Sequence, residues 1–383
     1  MNTQLEFRTK QLLAELDDAA LRRRMRTPKG IDLSSNDYLG LASHPAIKQR
    51  MSNAVLLEGC GSTGSRLLRG HRNCFAQIET RFARWKGTDA SLYFGSGYLA
   101  NIAVLSTFPE EGDVIFSDEL NHASLIDGIR LSRARRVVFE HKNVNDLSRL
   151  IERESATKGQ NFLVTESLFS MDGDEAPLMD YAALCRATGT ALIVDEAHAV
   201  GIYGQNGSGL IEETGIEDDV FLSINTAGKA LGVSGAFVAG HKWAIDYLVH
   251  QARPFIFSTA PPPATAVAIE AALDCLEREP ERRSKLIENS VSLRDLLNNE
   301  GVPIGPGLSQ IIPVIIGDSE HTLIVAESLQ MQGFDVRAIR PPSVPQGTSR
   351  LRISVNINLS NEILSEFAHT LISVLDKCAC VPV

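Results

Sequence analysis

From about residue 45 to 275 the chain alternates short apolar runs with longer amphipathic stretches, and this alternation restricts the fold more than any other feature. The runs fall at 90–93, 113–117, 136–139, 162–166, 191–195, 220–225 and 236–240. Strands separated by helix-length segments predict a largely parallel sheet of seven strands wrapped by helices. In such sheets functional groups gather at the carboxyl ends of the strands. Glu166, Asp195 and Lys229 all stand at or just beyond such ends. The fold class is therefore α/β, with 45–275 as a large domain.

Either side of that block the pattern changes. Residues 4–26 carry leucines at loosely helical spacing and end in Arg22, Arg23, Arg24 and Arg26, which predicts an N-terminal helical arm over 1–44. Beyond a charged stretch at 277–283 the reading is helix, strand (311–316), helix, strand (335–339), loop, strand (350–355), helix. That order predicts a smaller α+β domain over 276–383. No internal repeat or low-complexity segment interrupts the chain.

Composition removes several function classes. A chain of 383 residues with a net charge of -10 lacks the basic surface of a general nucleic-acid binder. No run of about 18 apolar residues spans a membrane, and the first residues do not read as a signal peptide, so the expected location is cytoplasmic. Cys60, Cys74, Cys185, Cys275, Cys378 and Cys380 show no paired zinc spacing, so reduced thiols and no metal are expected.

The chemistry centres on Lys229 in Thr226-Ala227-Gly228-Lys229 and on Asp195 in Asp195-Glu196-Ala197-His198. A lysine that forms an imine must lose its proton, which burial favours. A carboxylate on a neighbouring strand can hold a pyridinium nitrogen. Together they point to pyridoxal phosphate, whose protein partners are a lysine and an acid. Phe94-Gly95-Ser96-Gly97-Tyr98 follows a short strand and precedes a helix-like stretch from Leu99, which reads either as a natural phosphate cradle or as a plain strand-to-helix turn. His122 lies in a loop, where a ring can stack on a flat cofactor. Arg340 and Arg352 flank a proline-rich loop and are suited to gripping carboxylates.

Two other motifs compete. Gly59-Cys60-Gly61-Ser62-Thr63-Gly64 matches a dinucleotide fingerprint but follows a helical stretch where a strand is required. The Asp-Glu-Ala-His box also occurs in helicases, but no phosphate loop accompanies it, since Ala230 follows Lys229.

Ser34-Ser35-Asn36-Asp37-Tyr38-Leu39-Gly40-Leu41, Ser170-Met171-Asp172-Gly173-Asp174, Asp195–His198, Gly228-Lys229 and the Arg340–Arg352 loop appear in one order. With them the chain resembles the α-oxoamine synthases, a pyridoxal-phosphate family of transferase fold type I. The resemblance implies that Lys229 binds the cofactor covalently and moves the substrate's α-proton. Asp195 would pair with the ring nitrogen, His198 with the ring hydroxyl, and His122 would stack on the ring. Gly97, Tyr98, Ser170 and Thr226 would hold the phosphate or its surroundings. Ser258 and Thr259 would reach a partner subunit's phosphate in a homodimer. Arg352 would bind the amino acid's carboxylate, Asn36 and Glu166 would line the pocket, and Arg22 and Arg340 would meet the acyl chain's end.

The Ile339–Thr348 wording, with Ser343 in place of a usual threonine, and Leu21-Arg22-Arg23-Arg24 fit the branch that joins L-alanine to a pimeloyl thioester with loss of CO2. The carrier would be acyl carrier protein or coenzyme A. The alternatives are sister activities using glycine or serine, or a non-catalytic homologue. Phe75 stands where the family commonly has histidine.

Overall fold

The computed structural model describes residues 3–379; Cys380 lies outside the described residues. The chain forms two compact units. One holds residues 39–170 and 175–284, the other 1–38, 171–174 and 285–383. This grouping joins N-terminal to C-terminal residues, which a linear division at 44/45 and 275/276 does not express.

The larger unit is built on seven strands: β1 (Ala90–Phe94), β2 (Val114–Asp118), β3 (Arg135–Phe139), β4 (Asn161–Glu166), β5 (Ala191–Asp195), β6 (Val220–Thr226) and β7 (Ala236–Gly240). Their order across the sheet is β1-β7-β6-β5-β4-β2-β3. All neighbours are parallel except where β7 runs against β1 and β6. Each predicted apolar run is a strand, to within a residue or so at either end. Central strands read as continuous apolar runs because helices cover both faces. Ile115, Val164, Ile193, Leu222 and Val238 pack there with Ala100, Val104 and Leu125.

In the smaller unit, β8 (Ile311–Gly317), β9 (Ala338–Ile339) and β10 (Ser349–Ser354) form an antiparallel sheet in the order β9-β10-β8. Helices Ser319–Met331 and Asn361–Ala379 belong to this unit. The strand expected over 335–339 is split. Phe334–Asp335 pairs in parallel with Ile31–Asp32, whereas Ala338–Ile339 joins β10. No helix among the described residues is long and apolar enough to cross a membrane.

The helical arm needs correction. The first helix spans Thr3–Asp18, and the arginines that follow it are not helical. Leu21 N–H bonds to Leu16 carbonyl at 2.8 Å and Ala20 N–H to Asp17 carbonyl at 3.1 Å, with Ala20 at φ 53°. These bonds are a Schellman stop, in which a left-handed residue closes the helix. Leucine spacing carries no information about that backbone reversal.

Candidate functional site

Three neighbouring parallel strands deliver the polar residues of the larger unit. Glu166 ends β4 and Asp195 ends β5, and the two are direct register partners. Lys229 follows β6 in a tight connection to β7. Ala227 N–H bonds to Gly235 carbonyl at 2.8 Å, and Gly232 N–H to Lys229 carbonyl at 2.8 Å. Gly232 has φ +67°, and a Cβ there would lie 2.3 Å from Ala42 N. Only glycine permits that turn and approach, so this residue sets where Lys229 stands.

Lys229 Nζ lies 2.6 Å from His198 Nε2, and His198 is buried. Asp195 accepts from Asn101 Nδ2 at 2.7 Å and from Ala197 N–H at 2.9 Å. The same Asn101 amide donates to Ser124 Oγ at 2.8 Å, and that oxygen lies 2.6 Å from His122 Nδ1. Ser124 N–H also donates to His122 Nδ1, at 3.2 Å. Nδ1 is therefore an acceptor, and the neutral ring carries its proton on Nε2. Burial lowers the His122 pKa, against the pull of Asp195 and with the push of Lys229, so the ring stays neutral. Glu166 Oε1 accepts from His122 N–H at 2.7 Å. Burial first, then the Asp195 charge, pushes Glu166 up to about 8.

The residues fit pyridoxal phosphate. Ser96 caps the helix Gly97–Leu105 through its side chain, which accepts from Leu99 N–H at 3.3 Å. A Cβ on Gly97 would lie 3.6 Å from Thr226 Oγ1, so the helix start and the end of β6 frame one cradle. Exposed N–H groups at a helix start favour a phosphate. Tyr98 is partly exposed, with its hydroxyl donating to Asp127. Ser170 is buried in the same unit. Ser258 is half-buried and Thr259 exposed, after the short helix Arg253–Ile256.

The smaller unit holds the other candidates. Arg352 on β10 is buried and donates to Ser354 Oγ at 2.7 Å, Asn36 Oδ1 at 3.1 Å and Tyr38 OH at 3.3 Å. These three partners are neutral oxygens that orient the guanidinium, whose planar fork suits a carboxylate. Arg22, Arg23, Arg24, Arg26, Arg337 and Arg340 line a cavity of about 670 Å³. Arg23 Nη2 donates to Ser343 Oγ at 3.1 Å, Arg22 pairs with Asp17 at 2.9 Å, and Arg340 donates to Ala20 carbonyl. Partial burial, with Arg23 and Arg26 nearby, lowers the Arg340 pKa.

The fold and these clusters admit a test by similarity. A family model for class I and II aminotransferases matches residues 28–371. The chain is 46% identical over 327 residues to an 8-amino-7-oxononanoate synthase of Anaeromyxobacter dehalogenans, covering 85% of this chain and 81% of that protein. This chain belongs to the 8-amino-7-oxononanoate synthase family. It is a pyridoxal-phosphate-dependent acyltransferase of fold type I. A 41% identical member from Geobacter sulfurreducens covers 90% of the chain and 91% of its own length. Among solved structures, a Sphingomonas wittichii serine palmitoyltransferase aligns at TM-score 0.89 and 31% identity over 93% of this chain and 89% of that one. An 8-amino-7-oxononanoate synthase from Francisella tularensis aligns at TM-score 0.79 and 29% identity, covering 91% and 98%.

Sequence reading missed Asn101, Ser124, Tyr38 and Ser354. Asn101 had one available signal, as a polar residue in the otherwise apolar helix Gly97–Leu105. Phe75, a departure from the pattern the resemblance implies, is fully buried, stacks on Tyr93 at 6.0 Å and lies 4.7 Å beneath the Arg66 guanidinium. It is a core residue in this chain. His44, Cys275 and Glu279 also meet, with His44 Nδ1 3.6 Å from Cys275 Sγ and Nε2 3.2 Å from Glu279 Oε1. The two ring nitrogens face different partners, which makes a hydrogen-bonded relay.

Proposed function

We propose that the chain condenses L-alanine with a pimeloyl thioester, releasing CO2 and the free thiol carrier and giving 8-amino-7-oxononanoate for biotin synthesis. The observation that carries this reading is the 2.6 Å approach of Lys229 Nζ to His198 beside a buried, doubly hydrogen-bonded Asp195. Bound pyridoxal phosphate supplies an electron sink for the Cα carbanion. Asp195 holds a proton on the ring nitrogen, and His198 donates to or accepts from the ring hydroxyl. Neutral His122 offers a flat face to the ring. Gly97, Tyr98, Ser170 and Thr226 receive the phosphate. Lys229 takes the Cα proton and later returns one. Arg352 receives the amino acid's carboxylate, with Asn36 and Tyr38 orienting it. Glu166 and Ser343 line the substrate's path, while Arg22 and Arg340 meet the distal end of the acyl chain.

The same reading includes a homodimer. Leu56, Leu57, Leu67, Leu68 and Phe257 are exposed apolar residues flanking the Gly59–Gly64 loop and Ser258. The two segments adjoin, since Ala260 N–H bonds to Gly64 carbonyl at 2.9 Å. Contiguous exposed apolar surface marks association sites. Ser258 and Thr259 stand there to reach the partner's phosphate.

A second reading, a serine-using sister enzyme, draws on the Sphingomonas wittichii structure at TM-score 0.89, but its 31% identity is below the 41–46% of the relatives named for 8-amino-7-oxononanoate synthesis. Assays with alanine, glycine and serine against acetyl, pimeloyl and palmitoyl thioesters separate the two. Turnover with alanine and the pimeloyl thioester alone is expected. Preference for serine with palmitoyl thioester overturns the assignment and keeps the family.

A further inference from the structure

Beside the cofactor cluster lies a buried ion pair with no part in the proposed reaction. Lys86, which caps the helix Asn73–Trp85, places Nζ 2.5 Å from Glu196 Oε2 and donates to Ser208 carbonyl at 2.6 Å. Both side chains are almost wholly buried, at 2% and 0% exposure. Glu196 Oε1 accepts from Ile211 N–H at 3.1 Å. A Cβ on Gly209 would lie 2.3 Å from Glu196 Oε2, so the returning chain packs onto the carboxylate.

Glu196 stands between Asp195 and His198 in sequence, and its main chain bonds in both directions. Its N–H donates to Ile224 carbonyl on β6 at 2.7 Å. Its carbonyl accepts from Ala199 and Val200 N–H, each at 2.9 Å. The side chain thus ties the far end of the 196–211 loop and the end of a separate helix to the turn that carries His198.

Stability alone explains such a pair poorly. Two charges removed from water recover their desolvation cost only with close geometry, and a well-packed apolar pair often does as well. What a charge pair adds is one defined arrangement.

We propose that Lys86 and Glu196 are a positioning pair: they fix the His198 turn and so set the approach of His198 to Lys229. They touch neither the cofactor cradle nor the proposed substrate groups, and act through backbone and loop. The inference rests on the assignment of Lys229 as the cofactor's lysine.

The test replaces both charges at once, Lys86→Met with Glu196→Gln, so that no lone buried charge remains. Two properties are read on cofactor-loaded protein: pyridoxal-phosphate affinity, and the pH midpoint of the lysine-bound cofactor's absorbance. A displaced His198 is expected to weaken affinity on the order of tenfold and to move the midpoint by about one pH unit, its equivalent in protonation. If the double variant melts as wild type does and keeps both wild-type values, the pair is structural only and the proposal fails. Should the double variant not fold, Glu196→Asp keeps the charge but shortens the reach. A shifted midpoint in that variant supports positioning, and a wild-type midpoint overturns it. A wild type with no lysine-bound band would instead refute the Lys229 assignment, a separate failure.

Discussion

The strand-end cluster of the larger unit and the arginine cavity of the smaller one hold their charges by opposite means. Around Asp195 the side chains of Asn101, Ser124, Glu166 and His198 are buried, and the polar atoms named above are bonded to fixed neighbours before any ligand arrives. Around Arg340 like charges crowd together and lean on exposed acids; Arg26 and Glu327, at 2.5 Å, are 45% and 51% exposed. Exposed pairs of this kind contribute little to stability. The first region is preorganised for a reaction, where fixed dipoles act on developing charge. The second is under-neutralised, which suits capture of an anionic group.

That contrast can be broken by experiment. The largest effect is expected at Asp195→Asn, which keeps the shape but removes the charge. It should lower kcat by about 100-fold or more, the scale for losing one preorganised charge-stabilising group. A rise in KM with kcat unchanged would mean the cluster only binds.

Arg340→Gln is expected to do the reverse. KM for the acyl thioester should rise about tenfold, the worth of one charge-assisted hydrogen bond, and should rise further with salt in wild type than in the variant. Measuring kcat and KM at two ionic strengths checks both statements, and a fall in kcat alone would contradict the capture role.

Glu166 gives a pH test of preorganisation in cofactor-free protein. Its carboxyl titrates near 8 in the fold against 4.5 when unperturbed. Between those values the native state keeps a proton that the unfolded state has lost. Stability must therefore fall as pH rises through that window, by up to about 1.4 kcal/mol per pH unit. Glu166→Gln should flatten the dependence in denaturant titrations at pH 5 to 8; an unchanged slope would place the proton elsewhere.

The smallest effect belongs to the helix stop. Ala20→Gly relieves a left-handed alanine and should stabilise the protein by about 0.5–1 kcal/mol, visible as a small rise in melting temperature. A loss of stability would show that Ala20 packs in a way its backbone does not reveal.

These regions also differ in how far the sequence discloses them. Asp195 and Glu166 could be found because an apolar run that ends in an acid is a local pattern with one structural meaning. Lys229 followed from the same logic one strand further. The Asn101–Ser124–His122 link could not be found that way, because it joins the middle of one helix to the start of another, and the same Asn101 amide also bonds a carboxylate on a strand far along the chain. Tyr38 and Ser354 orient Arg352 from opposite ends of the chain. Lys86 reads in sequence as an ordinary surface charge at a helix end, since nothing local announces that Glu196 will be buried against it. The arginine segment was misplaced in helix because leucine spacing persists through a turn that only the backbone records.

The pairing of Ile31–Asp32 with Phe334–Asp335 has a consequence for synthesis. At about 5–20 residues per second, the ribosome needs on the order of 15–60 s to reach Phe334 after making Ile31. For that interval the first segment has emerged without its strand partner. The larger unit can close around its own sheet as soon as Ser284 has emerged, while the N-terminal helix, with Leu5, Leu12 and Leu16 exposed even in the finished fold, waits for the chain's last hundred or so residues. Co-translational completion of the smaller unit therefore depends on the two ends of the chain meeting, whereas the larger unit depends only on residues made before Lys285.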